Sequence, residues 1–188
     1  MLDLALKEWA IVCDLLVEGR CALVLRKGGV HEEGGPGRFK LEHERFALFP
    51  AWEHERLDWI KPAFRLREAP IEDEPAQIEL RGYAEVGRIW EVPSREAFDA
   101  LDDLHPWTAE QIDMRFNYKP ERPLFLLALR AYQLSEAKVI PNRPSFAGCR
   151  SWVPLPPEDA VDETGATPAM SDDRFADVLR RVDAAFGA

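Results

Sequence analysis

Apolar residues recur at Leu2, Leu6, Trp9, Cys13 and Leu16, alternating steps of four and three that lay one stripe along a helix. The spacing predicts a helix over 2–18, with Gly19 just past its end. Cys21–Lys27 is apolar on both faces until it reaches Arg26 and Lys27, a pattern that predicts a central strand delivering two cations to a rim. A glycine-rich loop, 28–37, separates it from a second strand, 38–50, whose first half alternates and whose second half is apolar throughout. Residues 51–66 predict a short helix or an irregular crossover, and 69–77 an acidic, proline-bearing surface loop.

Alternation is strongest over 78–92. Ile78, Leu80, Gly82, Ala84, Val86, Trp90 and Val92 share one parity, and Glu79, Arg81, Glu85 and Glu91 the other. Fifteen residues is long for one strand, so a bend is expected at Gly82 or Gly87. Ser94 suits the N-cap of a helix over 95–104. Thr108 and Gln111 have capping-box spacing for a short helix to about Phe116. The apolar run 123–134 predicts a mid-sheet strand, 135–154 a loop, and 171–188 a helix capped by Ser171 with Phe175, Val178, Leu179, Val182 and Phe186 on one face. The order of elements is that of an α+β fold, a compact curved sheet or small β-barrel flanked by helices, with a C-terminal helix. The expected organisation is one domain over 1–156, a mobile linker over 157–170, and a terminal helix packed on or extending from the domain.

The 188 residues are 46% hydrophobic, enough for a sizeable core. No apolar run approaches the roughly 18 residues that span a bilayer. The N-terminus lacks the basic-then-apolar pattern of a signal peptide, so a cytoplasmic location is expected. Three cysteines without CxxC spacing point to neither a disulfide framework nor a zinc site. Cys13 and Cys21 read as small core residues, and Cys149, in a polar loop, as the one thiol to test for reactivity.

The net charge of −10 disfavours non-specific polyanion binding, but its distribution changes the picture. Residues 111–153 hold seven Lys and Arg against three Asp and Glu, between two acidic stretches. Arg115, Lys119, Arg122, Arg130, Lys138, Arg143 and Arg150 either form one electropositive surface or pair with the acidic flanks. Within this segment Phe146 and Trp152 flank Cys149 and Arg150, and Arg115-Phe-Asn-Tyr118-Lys119 mixes cations with aromatics. That combination can stack on a base and neutralise a phosphate; equally, Trp152 can pin its loop to the body.

His43-Glu44-Arg45 and His54-Glu55-Arg56 each place an imidazole beside a carboxylate, suited to general-base work or to a surface ion pair. The spacings of His31, His43 and His54 match no metal-binding motif, and the loop 28–37 lacks the phosphate-cradling pattern. No metal or cofactor is expected.

ALKEWAIVCDLLVEGR, LVLRKGG, HERFALFPAWEH, AEVGRIWEV, RFNYKPERPLFLLALRAYQL and RPSFAGCRSWV together resemble a bacterial family, the domain of unknown function numbered 1802, over about residues 5–156. The resemblance implies no activity. More distantly, the chain resembles PUA-like barrels of the ASCH type, which place G-x-K-x-x-E-x-R on a helix-to-strand segment. Gly19 and Arg26 fall at its first and last positions, but Cys21 stands in place of the Lys and Val24 in place of the Glu. The similarity therefore implies a fold more than a function. The element order also suits the PD-(D/E)xK nuclease core, with Glu44 and Glu79-Leu80-Arg81 nearest to its metal ligands. Arg81 is a poor stand-in for the lysine such a site needs.

The resulting expectation is a binding module for a nucleotide, modified base or short nucleic-acid segment. Arg26 and Lys27 would meet phosphate, Trp152 or Tyr118 would stack, and His43, Arg45, Arg115, Lys119 and Arg150 would line the same rim. The alternatives are a metal-dependent nuclease-like hydrolase using Glu44, Glu79 and His43, or a protein-interaction domain using the 68–79 loop and the terminal helix.

Overall fold

The structure is a computed structural model describing residues 1–27, 43–69, 71, 73–148 and 151–188. A mixed sheet curls around one core and folds back to enclose a second. Its strands are β1 (Leu4–Trp9), β2 (Leu23–Arg26), β3 (Arg45–Ala51), β4 (Gln77–Glu91), β5 (Phe125–Pro141), β6 (Trp152–Pro154) and β7 (Thr167–Pro168). They run in the order β2-β5-β4-β3-β1-β6, with β7 pairing to β5. Among the described residues four α-helices accompany them: α1 (Ala10–Val17), α2 (Arg95–Asp99), α3 (Ala109–Asn117) and α4 (Asp172–Phe186). The fold is α+β, a curved sheet whose path ends at β2 and β6.

The helix expected over 2–18 is half strand. Residues 4–9 form β1, parallel to β3 on one side and antiparallel to β6 on the other. Pairing on both edges overrides the local periodicity, and alternation takes over: Ala5 faces one core and Leu6 the other. Helix α1 then begins without a side-chain cap of its own. Glu55, 44 residues further along, accepts the Ile11 N–H at 2.9 Å and contacts Arg67. The carboxylate read as a neighbour of the His54 imidazole is thus committed to a helix start.

Strand β2 lies at an end of the path, not in the middle as expected. Its three apolar residues are buried because both faces are covered, not because two strands flank it. The second strand is seen from Arg45 onward, and the expected loop 28–37 lies outside the described residues. Strand β5 runs on to Pro141, well past the expected loop boundary, because its polar second half pairs with the start of β4. Residues 51–66 form an irregular crossover with 3₁₀ turns at Leu57–Trp59 and Pro62–Phe64.

The β4–β5 ladder shifts register between Leu80 and Gly82 and again between Val86 and Arg88, the two glycine positions expected to bend. The first shift redirects the strand. Ile78 and Leu80 pack in the outer core with Phe49, Ile140 and Val153, whereas Ala84 and Trp90 pack in the inner core with the helices. A single run of alternation therefore serves two cores, across a shift where β4 advances two positions from Leu80 to Gly82 while β5 spans five from Gln133 to Lys138. At Gly82 a Cβ would lie 2.5 Å from the Tyr132 carbonyl oxygen and 2.6 Å from Val17, so the bend requires glycine.

Ser94 caps α2 through the Ala97 N–H at 3.1 Å, but that helix stops at Asp99, followed by a 3₁₀ turn at Asp102–Leu104. The capping box at Thr108 does not form. Its N–H is taken by the Trp59 carbonyl at 2.9 Å, and Gln111 turns into the core. Residues 157–170, read above as a linker, bridge Leu2 through Val161 and pair with β5 through β7. Helix α4 buries Phe175, Val178 and Val182 against the inner core, and Ser171 accepts the Arg174 N–H at 3.4 Å. Ser171→Ala is expected to cost about 1 kcal/mol, read as a lower urea midpoint at unchanged slope.

Candidate functional site: a guanidinium cluster at the end of the first two strands

Curling of the sheet brings the end of β2 to the end of β1. Arg26 donates from Nη2 to the Lys7 carbonyl at 2.9 Å, and the same nitrogen forms an ion pair with Glu8 Oε2 at 3.0 Å. Both side chains are mostly enclosed, 15% and 10% exposed. Glu8 also accepts the Trp9 N–H at 2.8 Å. The contact ties the free side of β2 to β1 by a side chain, where a closed barrel would use a backbone ladder.

Arg115 reaches the same place from α3. Burial holds its pKa below the usual arginine range, with Glu8 opposing that effect and Arg26 adding to it. Among the described residues its guanidinium makes no hydrogen bond or ion pair, and its Nε is fully enclosed without a partner. Lys27, half-buried, donates to the Phe116 carbonyl at 2.7 Å. Burial lowers its pKa, against an opposing effect from Glu121. Two guanidiniums thus meet one enclosed carboxylate, while the Lys27 ammonium sits on the carbonyl of the helix residue that follows Arg115. A buried cation lacking a counter-charge is a costly arrangement that an incoming anion would relieve.

Trp152 sits on β6 opposite Leu6, two positions along β1 from Glu8. Its ring meets Phe46 edge-on at 5.0 Å and His43 at 5.3 Å, and its Nε1 is enclosed without a partner. Tyr118 and Lys119 follow the end of α3, two and three residues beyond the carbonyl that holds Lys27. Tyr118 is 53% exposed, with the Lys119 ammonium 5.2 Å from its ring centre. Lys119 itself has φ +46°, a left-handed conformation uncommon for a side chain with a Cβ.

Of the nine residues expected to line a site, Arg26 and Arg115 converge on Glu8, Lys27 bonds the residue after Arg115, Trp152 and His43 touch each other, and Tyr118 and Lys119 lie at the end of the helix that supplies Arg115. Arg45 goes elsewhere. It bonds Tyr83 Oη at 3.1 Å, pairs with Glu163 at 2.8 Å and Glu85 at 3.3 Å, and covers the Tyr83 ring. Arg150 and Cys149 lie outside the described residues, as does His31. The basic segment divides: Arg130 pairs with Asp172, Arg143 with Asp159, and Lys138 donates to the Glu158 carbonyl, so these three meet the acidic tail.

Glu8 was missed by sequence reasoning, because the helical stripe placed it on a solvated face. Only the alternation within Leu4–Trp9 carried a signal for it.

The nuclease reading fails on register. Arg45 lies opposite Glu85 and the Glu44 carbonyl accepts the Val86 N–H, so Glu44 is about seven residues along β4 from Glu79, about 20 Å at strand rise. Arg81 is occupied by Asp14 at 2.9 Å. Among the described residues, no three His, Cys, Asp or Glu side chains gather as metal ligands.

The sequence profile of a family described as "Domain of unknown function (DUF1802)" matches residues 5–181, nearly the whole chain. The chain belongs to the DUF1802 family. No curated protein matches it. Among solved structures the DUF1802 chain is similar to an ASCH protein from Zymomonas mobilis. Identity is 12% and the TM-score 0.49, over 83% of this chain and 89% of that one. Two point variants of the same protein give 12% identity with TM-scores of 0.46 and 0.45. They cover 85% and 83% of the DUF1802 chain and 94% and 91% of theirs. The two departures from the ASCH-type segment are core residues here: Cys21 and Val24 are buried, and burial pushes the Cys21 thiol up to about 12. Among the described residues no helix is long and apolar enough to cross a membrane.

Proposed function

We propose that the chain is a binding module for a phosphate-bearing ligand, a nucleotide or a short single-stranded nucleic-acid segment, held where Arg26 and Arg115 meet Glu8, with Lys27 on the adjoining helix carbonyl. The observation that carries this reading is Arg115: a half-buried guanidinium with no hydrogen-bond or ion-pair partner among the described residues, beside a carboxylate already engaged by Arg26. Arg26 is braced by Glu8 and the Lys7 carbonyl, so it presents its remaining donors in a fixed orientation. Arg115 supplies free donors suited to bidentate contact with phosphate oxygens. Tyr118, and Trp152 with His43 against it, offer the aromatic faces on which a base would stack. Local positive charge on an acidic protein favours a small, specific footprint over general polyanion binding.

Fluorescence anisotropy with labelled single-stranded RNA and DNA hexamers at about 50 mM salt tests this reading. Arg115→Gln is expected to weaken binding at least tenfold, the loss of one charge-assisted contact. Its melting temperature should not fall, because Arg115 makes no bond within the described protein. Equal affinity of wild type and Arg115→Gln would overturn the assignment.

A further inference from the structure

We infer that the protein has a second binding site, a cleft beside α1 that takes a small organic cation: a primary amine or guanidine on a short apolar stem. The cleft shares no residue with the Glu8–Arg26–Arg115 site and does not depend on it.

The cleft follows from the course of the strands. Strand β3 pairs with β4 only as far as Ala47 opposite Tyr83. Beyond that point β3 runs on beside β1 to Ala51. The start of β4, set off by the register shift between Leu80 and Gly82, pairs with β5 instead. A cleft of about 280 Å³ lies where the two ends part, bordered by Pro50 of β3, by Ala10 and Asp14 of α1, and by the crossover that carries Arg67. Gln77, Glu79 and Arg81, alternate positions on one exposed face of β4, also line it. Trp52, just past β3, and Ile71, 42% exposed, supply apolar surface that a ligand stem would cover.

Charge decides the class of ligand. Each guanidinium of the lining already has a carboxylate: Arg81 donates to Asp14 at 2.9 Å, and Arg67 pairs with the enclosed Glu55. Glu79 has neither a hydrogen bond nor an ion pair among the described residues. Three carboxylates against two guanidiniums leave one negative charge, and the other lining side chains are uncharged. A monocation neutralises the cleft; an added carboxylate or phosphate meets Glu79 as a like charge. The start of α1 favours the opposite sign, but Glu55 already accepts its Ile11 N–H. The acidic stretch 69–77 adds to the preference for a cation. Ile71, Pro75 and Gln77 line the cleft, and Asp73 and Glu74 lie between the first two along the chain.

Hydrogen bonding points the same way. An ammonium carries three donors and no acceptor. Glu79 offers carboxylate oxygens, and Gln77, two positions away on the same face, an amide oxygen. A guanidinium would meet the carboxylate through two parallel bonds.

The test titrates the full ¹⁵N-labelled chain with three compounds on one stem: 2-phenylethylamine, 2-phenylethanol and 3-phenylpropionate. The Trp52 indole N–H resonance, assigned with Trp52→Phe, reports occupancy. The amine is expected to bind about fivefold more tightly than the alcohol, the worth of one exposed ion pair, and the acid more weakly than either. Glu79→Gln should erase the difference between amine and alcohol, and Ile71→Ser should weaken both. Both positions are exposed, so both variants should melt as the wild type does. Nα-acetyl-lysine amide distinguishes two sources of the cation. Affinity equal to that of 2-phenylethylamine would identify a basic side chain of a partner protein, and weaker binding a free small amine.

Arg115→Gln should bind the amine as the wild type does, which separates this site from the phosphate site. Equal affinity for amine and alcohol overturns the inference, as does preference for the acid. So does an unmoved Trp52 resonance with every compound at about 10 mM, whatever the Arg115 site binds.

Discussion

Glu8→Ala is expected to cost about 3–5 kcal/mol of folding stability, the range for breaking an enclosed ion pair from one side. The variant leaves Arg26 with the Lys7 carbonyl and removes the carboxylate that, among the described residues, opposes the charge of Arg115. It also frees the Trp9 N–H just ahead of α1. Urea unfolding monitored by tryptophan fluorescence would read the loss as a lower midpoint.

Two companion variants separate the causes. Glu8→Leu combined with Arg26→Met removes both charges of the pair and should recover much of the loss, because no charge of that pair is then buried alone. Arg115→Met in the wild-type background should raise stability by about 1 kcal/mol, since it removes an unpartnered, half-buried cation. A residue retained at a cost to stability is what a ligand-binding role requires. Inorganic phosphate should accordingly stabilise Glu8→Ala more than wild type, by occupying the site of the missing carboxylate. A Glu8→Ala protein as stable as wild type would show that the β1–β2 clasp carries no folding energy.

Acidification is expected to produce the second large effect, through His105. The ring is fully buried, stacked between Phe98 at 4.7 Å and Trp107 at 5.5 Å. Burial, reinforced by the Lys61 ammonium 3.5 Å from Nδ1, lowers its pKa from 6.5 to about 3. Asp102 and Asp103 oppose that shift and Arg95 adds to it. In the folded protein His105 is therefore neutral where the unfolded chain would be protonated. Between about pH 6.5 and 3 the unfolded state binds more protons, so stability falls as pH decreases through that window and is unaffected by this residue above it.

The full effect is on the order of 4 kcal/mol. Its slope approaches 1.4 kcal/mol per pH unit between about pH 4.5 and 6, before most carboxylates protonate. Urea midpoints at half-unit intervals from pH 4.5 to 7.5 would measure it. His105→Phe keeps the aromatic stack and should flatten the profile in that range. An unchanged slope in His105→Phe would assign the acid sensitivity elsewhere.

Much of the fold was legible because it depends on near neighbours in sequence. Ser94 and Ser171 cap the helices their spacing announced, and the length and glycines of the 78–92 run pointed to a bend at Gly82 or Gly87, where the ladder shifts at both. Tertiary pairing overrode the rest. The stripe over 2–18 satisfies a helix and, in its first part, equally a strand; β3 and β6 decide between them. Edge and centre were exchanged for β2 because burial by helices and burial by flanking strands leave the same apolar signature.

The site divides in the same way. That Arg26 and Lys27 end a buried strand, and that Arg115 precedes an aromatic pair on a short helix, follows from the order of residues alone. So does the imbalance of charge along the chain, since composition and spacing are properties of the sequence itself. Which of those charges remain unsatisfied was settled only when the chain closed on itself. The acidic tail reached Arg130, Lys138 and Arg143, and Arg45 joined Glu85 and Glu163. Arg115 was left against a carboxylate already claimed by Arg26. Ion pairing acts over a few ångströms, and separation along the chain does not say which groups will come that close.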